Sequence, residues 1–248
     1  MTQVGWLEAD WPAPGNIRAG TTLRRPGPSQ PPYAHFNLAL HVEDDVDSVM
    51  ANRQSLKASL QLPSEPRWLE QVHSTIVVEA DTLDGVAQAD AAFTQQTGVV
   101  CVVMTADCLP VLFANRQGSC VAAAHAGWRG LANGVLEKTL QAAGFNPEDT
   151  LAWLGPGIGA KVYEIGDEVK QAFMQQPMHS ESAFVDNGPG KYLMDMYALA
   201  RQRLKALGVT AISGGEYCTY TQAEKFYSYR RDGLTGRMAS LIWMEPEA

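Results

Sequence analysis

Three short segments carry the side chains best suited to chemistry: Gln71-Val72-His73, Thr105–Pro110 (TADCLP) and His125–Gly130 (HAGWRG). Each sets a histidine or a cysteine at the expected end of a strand. Strand ends on one sheet edge can meet across long sequence gaps. His73, Cys108 and His125 form a zinc-type donor set, because thiolate and neutral imidazole are preferred zinc ligands. Three protein donors leave one position open for water or substrate, the pattern of catalytic rather than structural zinc. A zinc ion there would acidify water and polarise a substrate oxygen. Copper is the alternative ion for a His₂Cys set. The gaps of 35 and 17 residues match no short zinc motif. A second reading therefore uses the same residues, with Cys108 as an attacking thiolate and His73 or His125 as its base. The plainest reading makes the histidines satisfied polar side chains and the cysteine core filler.

The segment from His125 to Leu140 adds an anion-binding signal. It reads as strand, glycine-rich turn and helix, so backbone N–H groups and a helix N-terminus face one point. Arg129 in that turn can fork two oxygens of a phosphate or carboxylate. Trp128 could wall a flat ring, and the plain alternative is a β–α turn with a surface arginine. Phe226–Gly233 (FYSYRRDG) brings aromatics together with Arg230 and Arg231. It could close a pocket over an aromatic, anionic substrate, or be an aromatic strand before a turn. The loop Gly155–Gly159 (GPGIG) suggests a nucleotide fingerprint. Lys161–Glu164 reads as extended, with no helix directly after the loop, so a dinucleotide fold is rejected.

The elements that must position these groups follow from periodicity and punctuation. Helices are expected over Asp44–Leu60, Leu131–Ala143, Asp167–Gln176 and Asp195–Leu207. Asp44, Asp45 and Asp47 suit the first N-terminus, and Gly144 and Gly208 close two of the others. A strand or hairpin arm is expected over Arg67–Ala80. Gly98–Met104 (GVVCVVM) reads as a strand buried on both faces. Val111–Ala114 and Ser119–His125, joined by Asn115–Gly118, read as a hairpin. Further strands are expected at Thr150–Leu154, from Val209, and at Ser240–Met244. Hairpins mixed with strand–helix units indicate an α+β fold with a mixed β-sheet and flanking helices. No repeat is present, and the proline-rich Arg25–Pro32 reads as a surface loop, so one domain is expected over residues 1–248.

Composition narrows the function classes. The chain has five His and four Cys. That is too few imidazoles for a multicopper cluster and too few cysteines for a disulfide scaffold. Cys101 and Cys120 sit in apolar runs as core thiols, while Cys218, His35, His41 and His179 have no evident role. A net charge of −8 argues against general nucleic-acid or anionic-membrane binding. It leaves room for a small anion held by local arginines. No run approaches the roughly 18–20 apolar residues of a membrane span. The start, MTQVGWLEADWPAPG, lacks a basic n-region and an apolar h-region, so a cytoplasmic location is expected.

Taken together, QVH, TADCLP, HAGWRG, GPGIG with the following YEIG, and Phe226–Trp243 resemble the YfiH-type family. So do Thr21-Thr22, Phe36-Asn37-Leu38, Asp44-Asp45 and Asn52-Arg53. These bacterial proteins are similar to the mammalian laccase-domain protein. They are variously named polyphenol oxidases, purine nucleoside phosphorylases and peptidoglycan editing factors. The resemblance spans about Gly20 to Trp243. One departure is TTLRRPGPSQPP, where the family usually runs TTR-x-GG-V-S. The resemblance places the family's metal triad on His73, Cys108 and His125. It implies phosphorolysis of purine nucleosides, with adenosine deamination and methylthioadenosine phosphorolysis as side activities. The expected partners are then a purine nucleoside and phosphate. Under it, Arg129 and Arg230 are expected to cradle phosphate, and Asp107 and Glu164 are the candidate proton shuttles. The alternatives are a Cys108 amidase on a cell-wall precursor, a copper phenol oxidase, and a non-enzymatic binding module.

Overall fold

Every residue of Val100–Thr105 is buried, which requires cover on both faces of the strand. The computed structural model of the protein, which describes residues 4–175 and 181–245, supplies that cover by stacking two sheets. The first has four antiparallel strands in the order β1 (Trp6–Glu8), β2 (Ile17–Thr22), β15 (Met238–Met244) and β7 (Val100–Thr105). The second runs β14 (Ala211–Gly214), β10 (Thr150–Leu154), β8 (Leu109–Asn115), β9 (Val121–Ala126), β6 (Ala91–Thr94) and β4 (Val77–Glu79). Its outer pairs, β14 with β10 and β6 with β4, are parallel, and its inner pairs are antiparallel. The sheet is therefore mixed, as the sequence predicts, and the fold is α+β.

Side-chain alternation separates three buried layers. Cys101 and Val103 of β7 meet Val121 and Ala123 of β9 between the sheets. Val100, Val102 and Met104 point the other way, to a core shared with Leu56 of helix α1 (Val46–Ser59) and with Phe36 and Trp68. On the far side, Ala122 and Ala124 of β9 and Phe113 of β8 pack against helices α3 (Val135–Ala143) and α5 (Met196–Ala206). Helix α4 (Asp167–Met174) follows β11 (Glu164–Gly166), which joins β12 (Phe184–Asp186) and β13 (Lys191–Met194) in a three-stranded sheet. No helix among the described residues is long and apolar enough to cross a membrane.

Three expected elements differ. Arg67–Ala80 is not one strand. Only β3 (Leu69–Glu70), paired with β5 (Ala87–Gln88), and β4 are extended, and a loop between them carries His73. The helix expected from Leu131 is two helices, α2 (Trp128–Ala132) and α3, broken at Asn133-Gly134. Gly134 has φ +91°, a left-handed conformation that a continuous helix cannot contain. Lys161 and Val162 form a turn ahead of β11 rather than extended chain. The other helices match within two residues, α1 being capped by the Asp45 carboxylate on Ser48 N–H; Gln176 and His179 lie outside the described residues.

The GPGIG loop follows β10 and leads to a strand, not a helix, so it is no dinucleotide fingerprint. It wraps the buried Tyr197 hydroxyl, which accepts from Gly157 N–H at 2.7 Å and donates to the Tyr217 carbonyl at 2.9 Å. Tyr197→Phe would leave that buried N–H without an acceptor. The expected loss is about 1–3 kcal/mol of stability, read by thermal or urea denaturation.

Candidate metal centre

Two of the three candidate ligands are set together by one hairpin. The register of β8 on β9 pairs Leu109 with Ala126 and Pro110 with His125. Cys108, one residue before β8, therefore lies beside His125 and Gly127. Parity places His125 on the same face of β9 as Val121 and Ala123, between the two sheets, where it is buried.

The third ligand is placed by a long-range contact. His73 sits in the loop after β3 with φ +59°, an unfavourable conformation for a non-glycine residue. Two partners hold it. Gln71 exchanges hydrogen bonds with Met104 at the end of β7, at 2.7 and 2.8 Å. Asp90, fully buried just before β6, accepts from the N–H groups of Val72, His73 and Ser74 at 3.3, 3.0 and 2.6 Å, and from the Ser74 hydroxyl at 2.7 Å. The same carboxylate accepts from His125 Nδ1 at 2.8 Å, and the Asp90 carbonyl accepts from His125 N–H. Asp90 thus ties the His73 loop to the His125 strand.

The result is one group of three donors whose ligand atoms lie within 4.8 Å of one another. Cys108 Sγ is 3.8 Å from His73 Nε2. A tetrahedral ion bonded to sulfur at about 2.3 Å and to nitrogen at about 2.0–2.1 Å separates those atoms by about 3.6 Å. The donor set and its spacing therefore fit a metal ion. An ionised carboxylate can only accept, so His125 Nδ1 carries the proton and its Nε2 is free to ligate.

The electrostatics agree with this division of roles. Burial pushes the Asp90 carboxyl up, but hydrogen bonds from His125 and Ser74 bring it down to about 2. Burial also raises the Cys108 thiol. The charges and hydrogen bonds of His125 and His73 outweigh that and lower it to about 6. His125 is raised to about 9 by Cys108 and Asp90, against the opposing effect of burial. Each group thus favours the charged form of the other, thiolate beside imidazolium. Buried Cys120 is pushed up to about 11, and Cys101 further still, as core thiols should be. Gly127 completes the pocket, because a Cβ there would lie 2.7 Å from His73 Cδ2 and 3.1 Å from Cys108 Sγ.

A cleft of about 310 Å³ opens onto the three ligands, walled by His41, Gln71, Thr105, Tyr229 and Arg237 among others. The remaining expected site residues lie elsewhere. Arg129 is exposed and stacks on Trp128, 4.3 Å from its ring centre. Arg230 lies over Tyr163 and donates to the Glu164 carbonyl at 2.6 Å. Neither lines the cleft. The Glu164 carboxylate, away from the cleft lining, accepts from Lys191 Nζ and Asn187 Nδ2, both at 2.7 Å. Both Asp107 oxygens are also occupied, by the Thr219 hydroxyl at 2.6 Å and the Arg230 backbone N–H at 2.6 Å. They hold the loop that presents Cys108, with Asp107 itself at φ +88°. Of the FYSYRRDG segment, Tyr229 reaches the cleft, while Arg231 is engaged by the carbonyls of Thr219, Tyr220 and Phe226.

Type and spacing assign no site role to Asp90, Gln71, His41 or Arg237, and treat Gly127 only as part of a glycine-rich turn. Asp90 carried one signal, a lone carboxylate in the run Ala87–Phe93 (AQADAAF), where an unpaired charge would be costly to bury.

Comparison with known proteins decides the family. The family described as multi-copper polyphenol oxidoreductase laccase matches residues 18–245. The chain belongs to this family. Among its YfiH-type relatives, the purine nucleoside phosphorylase YfiH of Escherichia coli is 52% identical over 235 residues, 94% of this chain and 96% of that protein. A purine nucleoside phosphorylase of Pseudomonas aeruginosa is 50% identical over 241 residues, 97% and 98% of the two chains. A crystal structure of a Neisseria meningitidis protein superposes with a TM-score of 0.94 at 48% identity, covering 98% of this chain and all of that one. YlmD of Geobacillus stearothermophilus gives 0.88 at 30% identity, covering 98% and 97%. Despite the multi-copper description, the three-donor group is the single cluster of its kind among the described residues.

Two outcomes are expected. Asp90→Asn lowers metal affinity by roughly 10- to 100-fold, measured by competition with a chromophoric chelator. In metal-free protein, alkylation of Cys108 rises with pH about a midpoint near 6, because the thiolate is the nucleophile, and added metal suppresses it. A midpoint near the ordinary thiol value of about 8.5 would contradict the His125–Cys108 pairing.

Proposed function

We propose that this protein is a zinc-dependent purine nucleoside phosphorylase acting as one catalytic unit over the whole chain. The observation that carries the reading is the open His73–Cys108–His125 set at the floor of a cleft, in a chain about half identical to relatives named for that activity. Zinc is favoured by a donor set of one thiolate and two imidazoles with a carboxylate behind the buried histidine; copper is the alternative ion.

In the proposed reaction, a phosphate oxygen bonds to the ribose C1′ as the bond from C1′ to the purine nitrogen breaks. The electron pair leaves with the purine, which takes up a proton, giving free base and ribose 1-phosphate. When bound, the ion supplies Lewis acidity toward a substrate atom. The residues supply position. Asp90 fixes the ring of His125, Asp107 fixes the loop of Cys108, and the ring of Tyr229 offers a stacking face at the cleft wall. The same open site is proposed to deaminate adenosine and to split methylthioadenosine as side reactions. The four free thiols suit a reducing, cytoplasmic compartment. The acidic surface gives no reason to add nucleic acid or a membrane to the partners.

A second reading, a Cys108 amidase, draws support from the lowered thiol. One assay series separates them. Inosine with phosphate yields hypoxanthine, inosine alone does not, and chelation abolishes the activity until zinc is restored. His125→Ala reduces turnover to background. Activity on amide substrates that survives chelation but not alkylation of Cys108 would establish the amidase instead.

A further inference from the structure

The arginine that faces the cleft is not one of those expected to hold phosphate. Arg237 lines the same cavity as His73, Cys108 and His125. Its guanidinium is fixed from behind, with Nη1 donating to the carbonyls of Thr235 and Gly236 at 2.8 and 3.1 Å. Its backbone N–H donates to Asn37 Oδ1 at 2.9 Å, and Asn37 is itself braced by Ala39 and Asp44. Among the described residues, none accepts from Arg237 Nε or Nη2, and no carboxylate pairs with it. Arg24 and Arg53 differ, each spending its fork on backbone carbonyls, and Arg231 sets its Nε–Nη2 edge on the Asp232 carboxylate.

The cleft wall shows what surrounds this guanidinium, whose carbon lies 5.9 Å from the centre of the Tyr229 ring. It is built by His41, Gln71, His73, Met104, Thr105, Ala106, Cys108, His125, Tyr229 and Arg237, with no Asp or Glu among them. In a chain of net charge −8, a cavity without carboxylates and with a buttressed guanidinium is a local well for an anion. Nε and Nη2 are the edge of the guanidinium that binds two oxygens of one phosphate side by side. His41, on the same wall, adds a ring nitrogen.

We propose that Arg237, with His41 beside it, binds the inorganic phosphate of the reaction inside the metal cleft, in place of Arg129 and Arg230. This rests on the phosphorylase reading. It puts the nucleophile and the three ligands in one cavity. It also gives the Asn37 of the Phe36-Asn37-Leu38 motif a task, that of aiming Arg237.

The test compares zinc-loaded wild type with Arg237→Gln, Arg237→Lys, Arg129→Gln and Arg230→Gln, all checked by circular dichroism and thermal melting. Arg237→Gln should raise the KM for phosphate by roughly 10- to 100-fold, the cost of a charged, two-point contact. Its KM for inosine should move far less. Arg237→Lys, which keeps the charge but not the fork, should fall between. Titration calorimetry with inorganic phosphate alone should show binding to wild type and its loss in Arg237→Gln; if that variant fails to fold, the lysine variant carries the same measurements. An unchanged phosphate KM and unchanged calorimetric binding in the Arg237 variants would overturn the assignment. So would a phosphate KM raised by Arg129→Gln or Arg230→Gln but not by Arg237→Gln. No hypoxanthine from wild type would sink the phosphorylase reading by itself, while the calorimetric comparison would still judge Arg237 as an anion site.

Discussion

A carboxylate buried between two backbone segments is costly unless every lone pair finds a donor, and Asp90 meets that condition with five. Three are backbone N–H groups of the His73 loop, one is the Ser74 hydroxyl, and one is the ring of His125. The loop cannot leave its left-handed turn without stranding the charge, and the imidazole cannot rotate without doing the same. The geometry of the ligand set is therefore fixed by a residue that touches no ion. Asp90 directly precedes β6, so one polar anchor joins the second sheet to the loop that carries His73.

Asp107 repeats the device on the other side of the centre. Like His73, it has a positive φ, and its carboxylate is satisfied by Thr219 and by the backbone of Arg230. Both loops that bring a ligand forward thus contain a strained residue at or beside that ligand, held by a saturated acid. Strain of this kind persists only where surrounding contacts over-determine it. Gly127 is the negative counterpart. Its missing side chain is the space in which His73 and Cys108 approach each other.

The legible part of this arrangement was local. The hairpin from Leu109 to Ala126 follows from two apolar runs and a polar, glycine-ended turn, and its register alone places Cys108 near His125. The strand at Val100–Thr105 was readable because a run buried on both faces is apolar throughout. His73 was recognisable as a candidate by type, but not placeable, because its loop is set by contacts with residues 17 to 33 positions away. Helical periodicity carries across the short break at Gly134 and so does not reveal it. Arg129 and Arg230 were singled out by motif, whereas the direction of a guanidinium depends on which carbonyls and rings it meets. Arg237 had no local signal, since its aim comes from Asn37, two hundred positions away in the chain.

The unequal mounting of the three ligands has a kinetic consequence. Cys108 and His125 stay adjacent as long as the hairpin exists, and His125 is buried. His73 is exposed, on a loop whose neighbour Val72 is exposed too. An ion would therefore find two of its donors already seated together on the hairpin, with His73 the most exposed of the three. Because Asp90 holds the His73 backbone, the freedom that would govern capture and loss of an ion lies in rotation of that one exposed side chain rather than in unfolding of the core.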